Sequence, residues 1–279
     1  MVKVVTDSVS DIPANVAQEL GITVVPEYVC FGTEEYRDGI DLSTDDFYKR
    51  LATSPVLPTT SAISPSDILK VFNGLAEETD EIVVVALSSK FGAAYNNALL
   101  AKEMMEKRCQ VEVIDSLSGI MGLGLIVIAA AQLAQGGARL DEIVDEVRAI
   151  VPRVHVRMTF DTLEYLRRGG RIGKAQGLMG SLLKINPILG IKDGEAYPID
   201  RVRGRSKALD YLHDFVSSFP TISSLAVEHA TTPDEAEMFI DRLDYLFPKE
   251  RIYRSKVSPV VGTHVGPRVI AVSLVEGNR

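Results

Sequence analysis

Hydroxyl and carboxylate side chains collect at a few breaks in this sequence, and their types suit the binding of an anion. Asp7-Ser8, Ser88-Ser89 and Asp115-Ser116 each close an apolar run rich in β-branched residues. Thr59-Thr60-Ser61 follows the breaker-rich segment from Pro55 to Pro58. Clustered hydroxyls and free backbone N–H groups together hold a carboxylate or a phosphate. Each ending taken alone has a plainer explanation, because Asp and Ser punctuate strand ends. Three such endings and a Thr-Thr-Ser loop point instead to one shared rim, since ligands of parallel α/β sheets sit at the carboxyl ends of the strands. His264 lies between Gly262 and Gly266, in a turn whose glycines admit a close approach; an ordinary turn histidine is the competing reading. The other histidines, His155, His213 and His229, show no metal-ligand spacing, and no metal site is expected.

A second feature is electrostatic. Residues 167–207 hold ten Lys and Arg against three Asp and Glu, a local +7 in a chain of net −8, so the remainder carries −15. Such a segment meets something negative, inside the chain or outside it. Arg167-Arg168-Gly169-Gly170-Arg171 opens the stretch, Arg201, Arg203, Arg205 and Lys207 close it, and Gly177 to Ile191 between them is largely apolar. That order suits a ligand or partner that is anionic at one end and oily elsewhere; a solvated basic face is the alternative. The sequence has no Gly-x-Ser-x-Gly elbow, no Walker loop and no Gly-x-Gly-x-x-Gly after its first strand. The net negative charge, and the lack of aromatics among the basic residues, argue against nucleic-acid binding.

The elements that position these residues follow from periodicity. Val2 to Val5 reads as a strand, Ala14 to Leu20 as a helix capped by Asp11, and Ile22 to Phe31 as one second strand. Helices are expected from Asp41 to Leu51, from Ser64-Pro65 onward and from Phe91 to Arg108, with strands at Glu81 to Leu87 and Val111 to Ile114. Strand alternating with helix over the first 150 residues implies a mostly parallel α/β sheet. Ser116 to Ala138 carries no charge, but its dense apolar core is only Leu125 to Ala131. A spanning helix needs about 20 apolar residues, so a helix buried inside the protein is expected. After that comes an amphipathic helix, Leu140 to Ile150. The second half is mixed. It reads as a strand at His155 to Thr159, a short helix at Asp161 to Leu166 and an apolar helix at Ala175 to Lys184. A hairpin turning at Asp193-Gly194 follows, then helices at Ser206 to Val216 and Asp234 to Phe247. The remaining strands are Leu225 to Glu228, Ile252 to Val257 and Val269 to Val275. The fold class is therefore α/β in two domains, 1–152 mostly parallel α/β and 153–279 mixed α+β. Cys30 and Cys109 read as buried thiols, and Met1-Val-Lys-Val-Val meets a charge too early for a signal peptide, which points to the cytoplasm.

The ordered set of motifs resembles the DegV family, bacterial fatty-acid-binding proteins that serve fatty acid kinase. The matching residues are Val-Thr-Asp-Ser-Val-Ser-Asp (5–11), Pro-Thr-Thr-Ser (58–61), Val-Ile-Asp-Ser (113–116), Met-Gly-Leu-Gly (121–124), Leu-Arg-Arg-Gly-Gly-Arg-Ile (166–172), Lys-Ile-Asn-Pro-Ile-Leu (184–189) and Gly-Thr-His-Val-Gly-Pro (262–267). They span nearly the whole chain. The resemblance implies a long-chain fatty acid (C16–C18, palmitate-like) enclosed between two domains, with no cofactor and no catalytic residue. The family's carboxylate-binding Thr falls on Thr60, with Ser61 beside it, and the family's C-terminal His falls on His264. The family Ser position reads Gly92 here, in Phe91-Gly92-Ala93-Ala94-Tyr95, so a hydroxyl is missing. The Gly92 and Ala93 N–H groups, or a water, would replace it. The helices near Leu125 and Leu178 are candidates to line the tunnel. A kinase-docking Arg matches Arg203, flanked by Arg201 and Arg205, with Arg171 in the first basic cluster completing the partner-facing set. The implied protein is a non-enzymatic carrier, monomeric, that presents a carboxylate for acyl-phosphate formation and makes at most transient contact with a membrane surface. The alternative is an enzyme acting on a small phosphorylated or carboxylated metabolite, with His264 as acid or base.

Overall fold

The computed structural model describes residues 1–106, 109–178 and 185–278. Seven described strands come from the first part of the chain: β1 (Lys3–Asp7), β2 (Ile22–Val25), β3 (Tyr28–Phe31), β4 (Glu34–Arg37), β5 (Thr59–Ser61), β6 (Glu81–Ala86) and β7 (Gln110–Asp115). The apolar runs β1 and β6 are buried on both faces and form the centre of a parallel sheet ordered β2-β1-β6-β7. A small antiparallel sheet, β4-β3-β5, stands beside it. The other described strands are β8 (Val154–Thr159), β9 (Ile185–Lys192), β10 (Glu195–Arg203), β11 (Ile222–His229), β12 (Tyr253–Lys256) and β13 (Ile270–Glu276). They form one mixed sheet, β10-β9-β8-β13-β11-β12, in which only β11 and β12 run parallel.

The described helices are α1 (Ala14–Glu19), α2 (Thr44–Thr53), α3 (Pro65–Leu75), α4 (Ala94–Glu103), α5 (Ile120–Gln135), α6 (Leu140–Ile150), α7 (Glu164–Arg168), α8 (Arg205–Ser217), α9 (Pro233–Leu243) and α10 (Pro259–Val265). The uncharged segment is α5, and it lies buried between the sheets, touching β1 and β6 on one side and β8, β11 and β13 on the other. One apolar core therefore runs through residues of both halves of the chain. Among the described residues no helix is long and apolar enough to cross a membrane.

Several local expectations are corrected. The run from Ile22 to Phe31 is two strands in different sheets. Pro26 has no N–H for a ladder, and the Glu27 N–H turns to the Ser8 Oγ, 3.1 Å away. Asp11 does not cap α1, which begins after Pro13 without a side-chain cap. Asp11 sits at φ 50° instead, buried, accepting the Ser258 N–H at 3.2 Å. Residues Gly262 to Pro267 are not simply a turn: α10 runs through them to Val265, and Gly266 ends it at φ 79°. The apolar helix expected at Ala175 begins instead as a 3-10 turn, Gly173–Leu178, and the rest of it, to Lys184, lies outside the described residues. Both cysteines are free thiols, and each is partly exposed rather than buried.

Candidate functional site: an apolar cavity with one polar end

The three polar strand endings do gather at one rim, where they stitch the loops together. Asp7 accepts from the Leu87 N–H at 2.7 Å and the Val9 N–H at 3.2 Å. Asp115 accepts from the Leu117 N–H at 2.9 Å and the Ser89 N–H at 3.3 Å. The Ser88 hydroxyl donates to the Gly194 carbonyl at 2.8 Å, tying the rim to the hairpin turn of the second sheet. With their polar atoms committed to one another, these loops turn Val9, Leu87, Gly119 and Ile120 toward a cavity of about 280 Å³. The second sheet covers it with Met158 from β8 and with Leu189 and Ile191, which share one face of β9. Val260 and Val261 of α10 close another wall. Leu125 is core packing and, like Leu178, does not line the cavity.

One end of the cavity is polar. Thr60 Oγ1 and His264 Nε2 are 3.0 Å apart. Arg171 lines the same end, with Nε donating to the Phe91 carbonyl at 3.0 Å and Nη1 to the Gly169 carbonyl at 2.7 Å. Burial, and secondarily the Arg171 charge, push the His264 imidazole down to about 4, so it is neutral at neutral pH. A neutral imidazole has one donor and one acceptor nitrogen. Its fit depends on Gly169, because a β-carbon there would stand 2.1 Å from His264 Nδ1. A second groove of about 290 Å³, with Pro58, Tyr165 and Arg168 in its lining, also reaches Thr60, Arg171 and His264. The polar end is thus shared by the cavity and the groove.

The remaining expected site residues divide. Gly92 and Ala93 line the cavity at the start of α4, which has no side-chain cap. The Gly92 N–H donates to the Ser88 carbonyl at 3.3 Å, while the Ala93 N–H has no partner among the described residues. Of the two expected replacement donors, one is therefore open. A β-carbon at Gly92 would lie 3.0 Å from Leu87 Cδ2, so a serine fits there only if Leu87 gives way. Ser61 alternates to the other face of β5, exposed and away from the cavity. Arg171 points into the site rather than outward. Arg205 is held by Glu235 at 2.9 Å, with Asp161 also near at 3.7 Å. Arg201 and Arg203 lie exposed on β10, the edge strand of the second sheet. Glu27 was missed in the sequence. It lines the cavity, 4% exposed, and its signal was a charged residue after proline inside a β-branched run.

The cavity is apolar along its walls and has a hydroxyl, a neutral imidazole and a guanidinium at one end, an arrangement that suits an amphiphile, oily along its length and anionic at its tip. A family model described as "Uncharacterised protein, DegV family" matches residues 1–277, and the chain belongs to the DegV family. It is 36% identical, over 99% of both chains, to a DegV domain-containing protein of Caldanaerobacter subterraneus subsp. tengcongensis. Among solved structures it is similar to DegV from Bacillus subtilis, described as a fatty acid binding protein (TM-score 0.89, 29% identity, 99% of each chain). It is equally similar to a DegV family protein from Thermus thermophilus, whose structure is described by its fatty acid binding (TM-score 0.89, 28% identity, 99% of each chain).

Proposed function

We propose that this protein is a cytoplasmic, non-catalytic carrier of a long-chain fatty acid of the C16–C18 class. In this reading the 1–152 and 153–279 units enclose the tail between them, and Thr60, Arg171, His264 and the Ala93 N–H hold the carboxylate. The observation that carries the reading is the Thr60–His264 pair at the end of an apolar cavity. Two similar solved structures described as fatty acid binding support it. Burying about 14 methylenes at roughly 0.8 kcal/mol each contributes on the order of 11 kcal/mol before the entropy of binding is subtracted. The second groove at the Thr60–His264 pair gives a second protein access to the head group, which suits presentation of the carboxylate to a kinase for acyl-phosphate formation. The exposed arginines of β10 would steer that partner.

The test is mass spectrometry of lipid extracted from the purified protein, followed by uptake of added palmitate. A stoichiometric C16–C18 fatty acid is expected. An empty protein that also refuses palmitate would refute the reading and favour a small anionic metabolite instead.

A further inference from the structure

Glu27 is a carboxyl on the cavity wall that the fatty-acid reading leaves without a task. It is almost fully buried, and its Oε1 has no hydrogen-bond partner among the described residues. Its backbone is fixed on both sides: the N–H donates to Ser8 Oγ at 3.1 Å, and the carbonyl accepts from the Asp38 N–H at 2.8 Å. The small sheet sets where the side chain goes. Val29 pairs with Thr60 and Tyr28 with Ser61, so continuing the register one step brings Glu27 opposite Ala62. Residues two apart on a strand share a face, and Thr60, Ala62 and Glu27 all line the cavity. Diagonal neighbours in such a ladder stand about 7–8 Å apart, within reach of one another through a long side chain or a shared ligand atom.

We propose that Glu27 is a second head-group anchor, donating a hydrogen bond from its protonated carboxyl to the carboxylate of the bound fatty acid. This rests on the fatty-acid reading. It supplies a side-chain donor in a chain whose Gly92 carries no hydroxyl.

The surroundings favour the protonated form. Burial first, then the charges of Asp7 and Asp38, raise Glu27 to about 8, against the pull of Arg171. Burial also raises Asp7 to about 6 and Asp38 to about 7, and His264 is neutral. A solvated carboxylic acid ionises near 4–5, so the proton stays on Glu27 and the ligand keeps the negative charge, facing Arg171. Above about pH 8 Glu27 of the empty protein ionises, and binding must then take up a proton or set two negative charges together.

The experiment is calorimetric titration of the delipidated full chain with palmitate from pH 6.5 to 9.5, for the natural protein, Glu27→Gln and Glu27→Leu. The natural protein should lose affinity above pH 8, approaching tenfold per pH unit. Glu27→Gln keeps a donor and cannot ionise, so it should bind similarly at pH 7 with a flat profile. Glu27→Leu should bind about ten- to a hundred-fold more weakly at pH 7. Asp7 and Asp38 remain in both variants, so a decline persisting in Glu27→Gln would overturn the proposal, as would unchanged affinity in Glu27→Leu. If Glu27→Leu does not fold, the Glu27→Gln profile decides alone. A natural protein that binds no palmitate at any pH would overturn the fatty-acid reading as well; binding that is alike in all three proteins overturns only the role of Glu27.

Discussion

Thr60 and His264 are 204 positions apart in the chain and 3.0 Å apart in space, so neither acts without the fold between them. The Thr60 hydroxyl is half-buried at the cavity's polar end. In the proposed reading it donates to the charged head group, a hydrogen bond worth about 1.5–3 kcal/mol. Thr60→Ala should therefore raise the palmitate Kd about ten- to a hundred-fold by titration calorimetry, and an unchanged Kd would remove Thr60 from the site. Gly169 makes the same point through packing. A methyl there would need the space of His264 Nδ1, 2.1 Å away. Gly169→Ala should displace the imidazole and weaken palmitate binding, although Gly169 contributes no side chain to the head group.

At the scale of elements, α5 accounts for most of the 23 consecutive residues, Ser116 to Ala138, that carry no charge. From Ile120 to Ile128 the helix has no exposed face for one, and in its last turns the exposed positions are the uncharged Gln132 and Gln135. The buried Glu228 carboxyl instead meets its N-terminus, accepting from the Met121 N–H at 3.1 Å. Two glycines let this helix sit close. A β-carbon at Gly122 would press on the Ser118 hydroxyl and lie 2.6 Å from Val156 Cγ2, both side-chain atoms, and one at Gly124 would lie 2.6 Å from the Ser10 carbonyl oxygen. Alanine is the better helix former by about 1 kcal/mol, which works against the clash. Overpacking typically costs about 1–3 kcal/mol, and the backbone oxygen facing Gly124 has less room to yield than a valine methyl. Both Gly→Ala variants should lower the urea midpoint, Gly124→Ala more than Gly122→Ala. A midpoint at or above that of the natural protein would mean that α5 shifts to absorb the methyl.

At the scale of the whole molecule, the basic stretch does not act as one patch. Arg167 and Arg168 pair with Glu164, Arg205 pairs with Glu235, and Arg171 turns into the cavity. Arg201 and Arg203 remain outward on the sheet edge, on a molecule of net charge −8. A partner steered by local positive potential would meet them there. If the carboxylate is presented to a kinase as proposed, reversing both, with Arg201→Glu and Arg203→Glu, should abolish the coupled acyl-phosphate formation while palmitate affinity stays as it was. Intact coupling in that double variant would place the docking surface elsewhere.

The sequence by itself determined the class of most of the long, strongly periodic elements. The β-branched runs of β1 and β6, the uncharged α5, the Asp193-Gly194 hairpin and the change from parallel to mixed topology after Ile150 all follow from periodicity and turn chemistry. The DegV membership was legible in the ordered motifs, which also singled out Thr60 and His264 as candidates, though not that the two would meet. What only the tertiary structure decided is which side chains meet. Alternation along β5 sends Thr60 to the cavity and Ser61 away, and the break at Pro26 brings Glu27 onto the same face. The backbone after α7 aims Arg171 inward, while its neighbours in the same basic run pair at the surface. Local sequence sets a backbone's preferences within a few residues. The direction of a side chain, and its distance from one two hundred residues away, are set by how sheets and helices pack, and the head-group end of this cavity consists of such long-range meetings.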